Sequence, residues 1–379
     1  MEREAPVTGA VSGADIRRGQ VVQVLASSAG GIGAHVASVT RGLRADGAPV
    51  TVCAPASALS LFDFGDAATS PVEIPPSPRL ADLRAVWTLR RAIRTAGHVS
   101  VVHAHGLRAG FVAVLARTGR PLVVTWHNAP LSGGVRAVAH RVLETAVARG
   151  ADVTLGASSD LVERARRVGG RDVRLGELSA PRLAPGRSRA EVRAELGLGE
   201  DVPLLLTVGR LHPQKRLDVL VAAAARWRDL RPTPLVAIAG DGPDTDTLQA
   251  QVARANAPVR LLGRRSDVAD LLAAADLAVV TSSWEARQLF VQEALRAGLP
   301  LVATAVGGIP GLVGDAARLI PANDVDAVDS AVRELLGDPQ ERVRLTAAGR
   351  ARAATWPSEA QTVAALADLY RQLDRGSGR

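Results

Sequence analysis

The sequence predicts an α/β protein with two doubly wound domains, each built on a parallel sheet. Short runs rich in Val, Leu and Ile alternate along the chain with Ala-, Arg- and Leu-rich stretches of helical period. The runs are almost continuously apolar, which is typical of strands in a parallel sheet that helices cover on both faces. A length of 379 residues suits two domains of ordinary size better than one.

Each half of the chain carries its own set of predicted strands. In the first half they are 21–27, 49–55, 99–105, 121–127 and 151–158, and in the second half 202–209, 234–240, 259–263, 276–282, 300–306 and 317–322. Helical stretches separate the strands in both sets, as in βαβ units. Two Rossmann-like domains are therefore expected.

The composition between and beyond these sets predicts the domain boundaries. We expect a disordered tail at 1–18, a first domain at 19–182, a linker at 183–200, a second domain at 201–355 and a final helix at 356–374. Pro, Gly and charged residues dominate the linker, and a short helix is expected within it. The final helix is expected to pack back across the join between the domains.

Composition also narrows the class of protein and its compartment. The single Cys53 excludes an internal disulfide and a cysteine zinc site, and it fits a reducing compartment. The first twenty residues carry charges and no apolar core, so they do not resemble a signal peptide. No apolar run approaches the roughly 18 residues that a membrane-spanning helix needs. A cytoplasmic protein is therefore expected.

The net charge of +8 raises the question of an anionic partner. Arginines are interleaved with Asp and Glu along the predicted helices, and only 3% of residues are aromatic and able to stack on bases. This pattern argues against nucleic acid. An anionic substrate, or peripheral contact with an anionic membrane at its inner face, accounts for the excess charge more simply.

Lys215, in "VGRLHPQKRLD", is the only lysine among the 46 basic residues of the chain. An ammonium is a compact point charge, whereas the guanidinium of arginine is a planar fork. A site that needs one small cation against phosphate oxygens can require lysine, and Arg210 supplies a second cation on the same loop. The alternative is a surface lysine at the start of a helix.

A glycine-rich loop follows the first predicted strand. In "SSAGGIGAHV", Gly30, Gly31 and Gly33 allow the backbone to approach an anion at the start of a helix. The spacing is not that of the dinucleotide-binding fingerprint, and no acidic residue follows at a matching strand end. An ordinary tight turn between strand and helix is therefore the other interpretation.

Three of the seven histidines lie at the carboxyl ends of two predicted strands. They are His103 and His105 in "VVHAHG" and His127 in "VTWHNA", where Asn128 follows. Imidazole at such a position can hold a hydroxyl, a phosphate or a proton. A buried structural role is the alternative, above all for His103. No carboxylate or cysteine lies beside them at the spacing of metal ligands.

Two glutamates in the second half stand at a strand end and on the helix that follows it. Glu285 lies on the loop after a predicted strand, and Glu293 lies two turns into a helix that is expected to open at about Arg287. Arg287 would then add a cation beside Glu285 and neutralise part of its charge. The acidic "DTD" at 244–246 is interpreted as a helix cap with first-turn acids rather than a metal site.

These motifs together resemble the retaining glycosyltransferases of family 4, which have the GT-B architecture of two Rossmann-like domains facing across a cleft. The similarity runs over about 20–373 and is carried by "VGRLHPQKRLD", "GDGP", "LLGRRSDV" and the E-x7-E stretch followed by "AGLPLVATAVGGIP". The resemblance implies an enzyme that moves a sugar from a nucleotide-diphosphate sugar to a glycan, lipid or small-molecule acceptor.

The resemblance also implies roles for individual residues. Arg210 and Lys215 would hold the diphosphate, Glu293 the ribose and Glu285 the transferred sugar, while His127 would lie near the reacting sugar. His127, Glu285, Arg210 and Lys215 are the catalytic candidates. The acceptor-side candidates are His105 and Asn128. The wider set of donor-binding candidates is Gly31, Gly33, Arg210, Lys215, Gly240, Arg264, Glu285, Leu289, Phe290 and Glu293.

The implied reaction retains the configuration of the sugar by same-face attack, and a leaving-group oxygen helps to take the proton of the acceptor. Neither an enzymic nucleophile nor a metal is then required, and no cofactor beyond the nucleotide-sugar co-substrate is expected. Fixed cations and a helix N-terminus would stabilise the departing diphosphate instead.

The chain departs from the family pattern at several positions. Ala286, Arg287 and Gln288 follow the first glutamate where the family usually has Gly-Phe-Gly, Gly311 replaces the glutamate of a common "GGxxE", and Arg216 follows the lysine in place of glycine. A nucleotide-sugar epimerase of the same architecture and a non-catalytic nucleotide-sugar-binding relative are the alternative functions. The E-x7-E stretch argues against the epimerase.

Overall fold

The computed structural model describes residues 19–26, 30–75, 77, 81–116, 118–129, 134–176, 178–181 and 183–376. The predicted tail at 1–18 lies outside the described residues. Among the helices of the described ranges, none combines the length and the apolarity needed to cross a membrane.

The first half of the chain forms a parallel sheet of seven described strands. These are β1 (Gln20–Leu25), β2 (Val50–Ala54), β3 (Ala68–Pro71), β4 (Val99–His105), β5 (Leu122–Trp126), β6 (Val153–Gly156) and β7 (Val173–Leu175). Their order across the sheet is β3-β2-β1-β4-β5-β6-β7. Strands β2, β4 and β5 are buried along their whole length and β1 is buried from its second residue, which explains why these segments are rich in valine and leucine.

Helices cover both faces of this sheet. They are α1 (Gly31–Ala45), α2 (Ala56–Leu61), α3 (Ala81–Thr95), α4 (Leu107–Ala116), α5 (Gly134–Gly150) and α6 (Ser159–Arg167). Helices α3 to α6 pack on one face through a single apolar cluster. Helices α1 and α2 pack on the opposite face through a second cluster.

The second half of the chain repeats the scheme with six described strands, all parallel. They are β8 (Leu204–Val208), β9 (Leu235–Ala239), β10 (Val259–Gly263), β11 (Leu277–Val280), β12 (Leu301–Thr304) and β13 (Arg318–Ile320). Their order is β10-β9-β8-β11-β12-β13. Two apolar clusters again fill the space between the sheet and the helices on its two faces.

The helices of the second half begin within the predicted linker. They are α7 (Arg189–Glu195), α8 (Leu217–Ala224), α9 (Thr245–Ala255), α10 (Val268–Ala274), α11 (Leu289–Ala297), α12 (Ile309–Val313), α13 (Val325–Gly337) and α14 (Pro339–Ala354). Ser188 and Glu191 form a capping box at the start of α7. Because Val192 and Leu196 are buried in the core of the second half, this short helix is folded onto that domain.

The last helix, α15 (Glu359–Gly376), returns to the first domain. Its apolar face packs against α1, where Val363 lies against Gly42, at which a Cβ atom would overlap the valine side chain. Leu366, Leu369 and Tyr370 complete the core on that face of the first sheet. The first domain is therefore finished by residues from the end of the chain.

Each predicted strand overlaps an observed one, and the fold class is confirmed. Strands β3 and β7 were not predicted. Both are edge strands of three or four residues, and "ATSP" and "VRL" are too short and too exposed to show the apolar run of a buried strand.

The strand order reverses once in each sheet, between β1 and β4 in the first and between β8 and β11 in the second. Loops at the carboxyl ends of two such strands diverge to opposite faces and leave a crevice, which is where open α/β sheets bind ligands. The glycine loop and His105 lie at the first reversal. The loops that carry Lys215 and Glu285 lie at the second.

Candidate functional site

Lys215 and Glu285 form an ion pair at the carboxyl edge of the second sheet. Lys215 ends the short 3₁₀ helix Pro213–Lys215 after β8, and Glu285 lies on the loop after β11. The Lys215 Nζ lies 2.6 Å from Glu285 Oε1, and the Ser282 hydroxyl donates to the same oxygen at 2.6 Å. Glu285 is buried, whereas the lysine side chain is 20% exposed. One side of the ammonium is thus bound, and another still faces the cleft.

Hydrogen bonds from side chains to backbone carbonyl oxygens hold the two loops together. The Thr281 hydroxyl lies 3.0 Å from the carbonyl oxygens of Lys215 and Arg216. The Gln214 side chain donates to the carbonyl oxygen of Trp284 at 2.7 Å. The position of the lysine is therefore fixed by the loop that carries the glutamate.

The "GDGP" turn supports the same loop from β9. A Cβ atom at Gly240 would overlap the carbonyl oxygen of Gly209, and one at Gly242 would overlap that of Leu211. The backbone amide of Leu211 in turn donates to the carbonyl oxygen of Asp241 at 2.7 Å. The close approach explains both glycines. Gly240 therefore acts on the site through the backbone beside Arg210.

The "GGIP" glycines pack over the Glu285 loop from the other side. A Cβ atom at Gly307 would overlap the carbonyl oxygen of Glu285, and one at Gly308 would overlap that of Ala286. The Gly308 amide donates to the Glu285 carbonyl oxygen at 2.8 Å. The loop 286–288, where the family usually has Gly-Phe-Gly, is thus held in place by the two glycines between β12 and α12.

Glu293 lies in the second turn of α11, which begins two residues later than predicted. Burial raises the pKa of its carboxyl group to about 7, and Arg296 lowers it only in part. Among the described residues, the carboxylate makes no hydrogen bond or ion pair. A half-buried acceptor of this kind is suited to the hydroxyl groups of a ligand.

The start of α11 offers backbone amides to the cleft. No side chain caps the helix at Gln288, so the first amides are available to an anion. Phe290 is only 3% exposed and belongs to the core, so its side chain cannot contact a donor and its backbone amide is the group that could. Leu289 instead reaches the first domain, where a Cβ atom at Gly31 would lie 3.2 Å from it.

The prediction that Arg287 lies beside Glu285 and neutralises it was wrong. The Arg287 Nε donates to the carbonyl oxygen of Leu178 at 2.8 Å, and its guanidinium lies over the Trp356 ring, 5.7 Å from the centroid. The partner of Glu285 is Lys215. Arg287 therefore ties the loop to Leu178 of the first domain and to Trp356, which follows α14.

The remaining donor candidates differ in their surroundings. Arg210 is exposed at the end of β8, next to Lys215 on the wall of the cleft. Arg264 is exposed after β10, two strands from β8 and thus roughly 10 Å away across the sheet. Gly33 lies against Phe62, whose ring a Cβ atom would overlap.

Four buried imidazoles gather at the first strand-order reversal. His127 follows β5, His103 and His105 end β4, and His35 lies in α1 with its ring 6.0 Å from those of His105 and His127. Burial lowers the pKa of His35 to about 4 and that of His103 to about 3, and lowers the pKa of His105 and His127 well below the usual value. All four are neutral near pH 7.

The positions of Asn128 and of the two aspartates of "DTD" can be compared with the roles expected of them. Asn128 is exposed directly after His127, as an acceptor-side residue would be. Asp244 stands at the N-cap of α9 and Asp246 in its first turn, which matches the interpretation of "DTD" as a helix start. Within the described ranges, no group of three or more His, Cys, Asp or Glu side chains could hold a metal ion.

Sequence reasoning missed several residues of the site. His35, Gln23 and Tyr370 join the histidines, and Ser282 joins the ion pair. Two features of the sequence pointed to Gln23 and Tyr370. Gln23 is a polar residue inside the apolar run "VVQVLA", and Tyr370 is the only tyrosine of the chain.

Both halves of the chain match known protein families. Residues 188–352 match the family described as glycosyl transferases group 1, and residues 30–176 match the glycosyl transferase 4-like domain. Family 4, to which the motifs pointed, is consistent with these two domains.

Curated relatives include the D-inositol 3-phosphate glycosyltransferases of Mycobacterium tuberculosis (strain H37Rv) and Mycobacterium bovis. Identity to each is 33% over 308 residues, which covers 74% of this chain and 64% of the relative. The matched region thus spans less than two thirds of the relatives' length.

Solved structures with the same fold include sucrose-phosphate synthase of Thermosynechococcus elongatus, with a TM-score of 0.80, 23% identity and coverage of 95% of this chain and 100% of that one. HepE of Anabaena, in complex with UDP and glucose, also has a TM-score of 0.80, with 20% identity and coverage of 93% and 99%. The first half of the chain therefore belongs to the glycosyl transferase 4-like family and the second half to the group 1 glycosyltransferases, and the two together have the GT-B architecture.

Proposed function

We propose that the chain is a retaining glycosyltransferase that moves a sugar from a nucleotide-diphosphate donor to a glycan, lipid or small-molecule acceptor. The observation that carries this proposal is the pair formed by the only lysine and the buried Glu285, at the strand-order reversal of the second sheet. Arg210 and the uncapped start of α11 add positive potential on the same side.

The donor would lie across the carboxyl edge of the second sheet. Lys215 and Arg210 would face the diphosphate, and Glu293 would accept hydrogen bonds from the ribose hydroxyls. The HepE structure, which contains UDP and glucose in the same fold, supports a nucleotide-sugar donor here. The exposed Arg264, near the end of the sheet, would lie toward the base.

In the proposed reaction, the bond between the anomeric carbon and the diphosphate oxygen breaks while the acceptor oxygen bonds to the same face of that carbon. The proton of the acceptor hydroxyl passes to the departing phosphate oxygen. Lys215 would stabilise the charge that grows on the diphosphate. Glu285, whose Oε1 already accepts from Lys215 and Ser282, is a poor nucleophile and is assigned to the positive charge that develops on the sugar.

A panel of UDP-, GDP- and ADP-sugars tests the proposal in two steps. Thermal stabilisation identifies the donor that binds, and a labelled form of that donor is then followed with candidate acceptors. Transfer of the label to an acceptor is expected. Conversion of the free donor into an epimer, or binding with no turnover, would favour the epimerase or the non-catalytic relative instead.

The reaction is also proposed to need no cofactor and no metal ion. Two cations and a helix start would do the work that a divalent ion does in other enzymes. Activity should therefore survive EDTA. Complete loss with the chelator and recovery with Mg²⁺ or Mn²⁺ would contradict this part of the proposal.

Peripheral contact with an anionic membrane is proposed through the outer faces of α3 and α5. Leu83 and Trp87 are 69% and 62% exposed on α3, and Val138 and Val142 are both 65% exposed on α5. Exposed arginines flank these side chains, at positions 84, 91, 94, 141 and 149. Apolar side chains rimmed by cations suit the interface of an anionic bilayer.

Vesicle sedimentation tests the contact. The wild-type protein should bind vesicles that contain phosphatidylglycerol more strongly than pure phosphatidylcholine vesicles. Trp87→Gln with Leu83→Gln should weaken binding by at least about tenfold. Val343→Gln, at a 70% exposed valine of α14 on the second domain, is the control and should bind as the wild type does. Equal binding by all three proteins would exclude this surface.

A further inference from the structure

The buried histidines are joined by hydrogen bonds that run from the last helix to His127. Gln23 on β1 faces His103 in the register with β4, and its side chain lies between β4 and α15. The Gln23 Nε2 donates to the Tyr370 hydroxyl at 3.4 Å, and its Oε1 lies 2.7 Å from His105 Nε2. The His105 Nδ1 lies 3.2 Å from His127 Nε2.

The orientation of Gln23 determines where His105 carries its proton. An amide oxygen can only accept a hydrogen bond, so the His105 Nε2 that faces it must carry the hydrogen. A neutral imidazole has one N–H group, and burial keeps His105 neutral. The His105 Nδ1 is therefore an acceptor.

The protonation of His105 in turn determines that of His127. Because His105 Nδ1 accepts, the hydrogen between the two rings belongs to His127 Nε2. The second nitrogen of His127, Nδ1, is then left with a lone pair. It is buried, and no described residue makes a hydrogen bond to it. An unsatisfied buried acceptor is costly unless a ligand group supplies the missing donor.

We propose that His105, oriented by Gln23, is a positioning residue that fixes the tautomer of His127 so that His127 Nδ1 accepts a hydrogen bond from a substrate hydroxyl. The part that concerns substrate rests on the proposed function. The part that concerns the tautomer does not, since it follows from the hydrogen bonds within the protein.

The tautomer is measured directly by long-range ¹H–¹⁵N correlation spectra of the full chain labelled with ¹⁵N-histidine, with His127→Asn used for assignment. In the protein without donor, both His105 and His127 are expected to be protonated at Nε2 and unprotonated at Nδ1. A proton on His127 Nδ1 overturns the proposal, whether or not the protein transfers sugar.

Kinetics test the consequence for catalysis. His105→Leu removes the acceptor that holds His127 Nε2–H, and it should lower kcat by at least about tenfold with donor KM changed by less than about threefold. His105→Asn can place an amide oxygen near the position of Nδ1, so it should restore kcat to within about threefold of wild type. The spectrum of the Asn variant should keep the wild-type tautomer of His127.

Thr125→Val is the matched control. Thr125 is equally buried, lies on the strand that leads to His127, and bonds only the Nε2 of His103 among the side chains of the cluster. It should lower the melting temperature while kcat and the His127 tautomer stay unchanged. Wild-type kcat in His105→Leu, or an equal loss of kcat in Thr125→Val and His105→Leu, overturns the proposal.

Discussion

Lys215 shows why one position in an arginine-rich chain requires a lysine. Its ammonium is bound by Glu285 on one side, and the lysine side chain remains 20% exposed, so the same compact charge can also face a ligand in the cleft. A planar guanidinium in the same place would satisfy the carboxylate with its fork and turn away from the cleft.

Lys215→Ala should slow transfer and weaken donor binding by at least about tenfold each, because it removes the charge that is proposed to face the diphosphate. Lys215→Arg should also fall well short of wild type, since charge alone is not sufficient. Steady-state kinetics and donor titration of the three proteins provide the measurement. Full activity in the Ala variant would remove the lysine from the site.

The two glutamates should separate kinetically. Glu293 would bind the ribose equally in the ground state and the transition state, so Glu293→Gln should mainly raise donor KM. Glu285 would act on charge that appears only in the transition state, so Glu285→Gln should mainly lower kcat. Donor-saturation curves with acceptor in excess distinguish the two. Near-normal kcat in Glu285→Gln would show that Glu285 does not act on the sugar.

The raised pKa of Glu293 predicts how donor binding depends on pH. Only the ionised carboxylate can accept two ribose hydroxyls, and burial places its pKa at about 7 in the protein without donor. Donor KM should therefore rise as the pH falls below 7 and level off above it. In Glu293→Gln this dependence should disappear, and a KM–pH curve of unchanged shape in that variant would assign the titration to another group.

At the residue scale, the sequence predicted the groups that lie on one loop or at one strand end. Lys215 and Glu285 were both named, although their direct contact was not. The direction of Arg287 could not be predicted, because it depends on Leu178 and Trp356, which come from other parts of the chain. The Gln23–His105 contact was hidden for the same reason, since β1 and β4 meet only in the folded sheet.

At the scale of the secondary-structure elements, the glycines of the "GDGP" turn position the loop that carries Arg210. Gly240→Ala should destabilise the protein by about 2 kcal/mol or more, because the new Cβ atom would overlap backbone and not a movable side chain. Donor affinity should fall with it as the Gly209 backbone shifts.

Gly199→Ala is the control for that variant, since nothing lies within 4 Å of the position of its Cβ atom. Chemical denaturation and donor titration of both variants provide the measurement. If Gly240→Ala has the same free energy of unfolding and the same donor affinity as Gly199→Ala, the turn does not support the loop.

The elements that could be predicted were those with a continuous apolar pattern. The central strands are buried on both faces, so their composition alone identifies them. Edge strands such as β3 are exposed and carry residues such as Pro71, so their pairing is decided by the neighbouring strand and not by their own sequence.

At the scale of the whole molecule, the two domains are linked through the same loop that carries Glu285. The Trp284 indole donates to Asp160 of α6 at 3.1 Å, and Trp284 and Ala286 join the core of the first domain. Helix α15 adds a second connection by completing the opposite face of that domain. The position of Glu285 is therefore set by both domains at once.

The anomeric configuration of the product tests the central claim most directly. The donor that stabilises the protein is incubated with an acceptor, and the coupling constant between the anomeric proton of the product and its neighbouring ring proton is measured by NMR. A product with the same configuration as the donor is predicted, and it should form at least about tenfold more slowly in Lys215→Ala. A product of inverted configuration, or none from the wild-type protein with any donor that binds, would contradict the account.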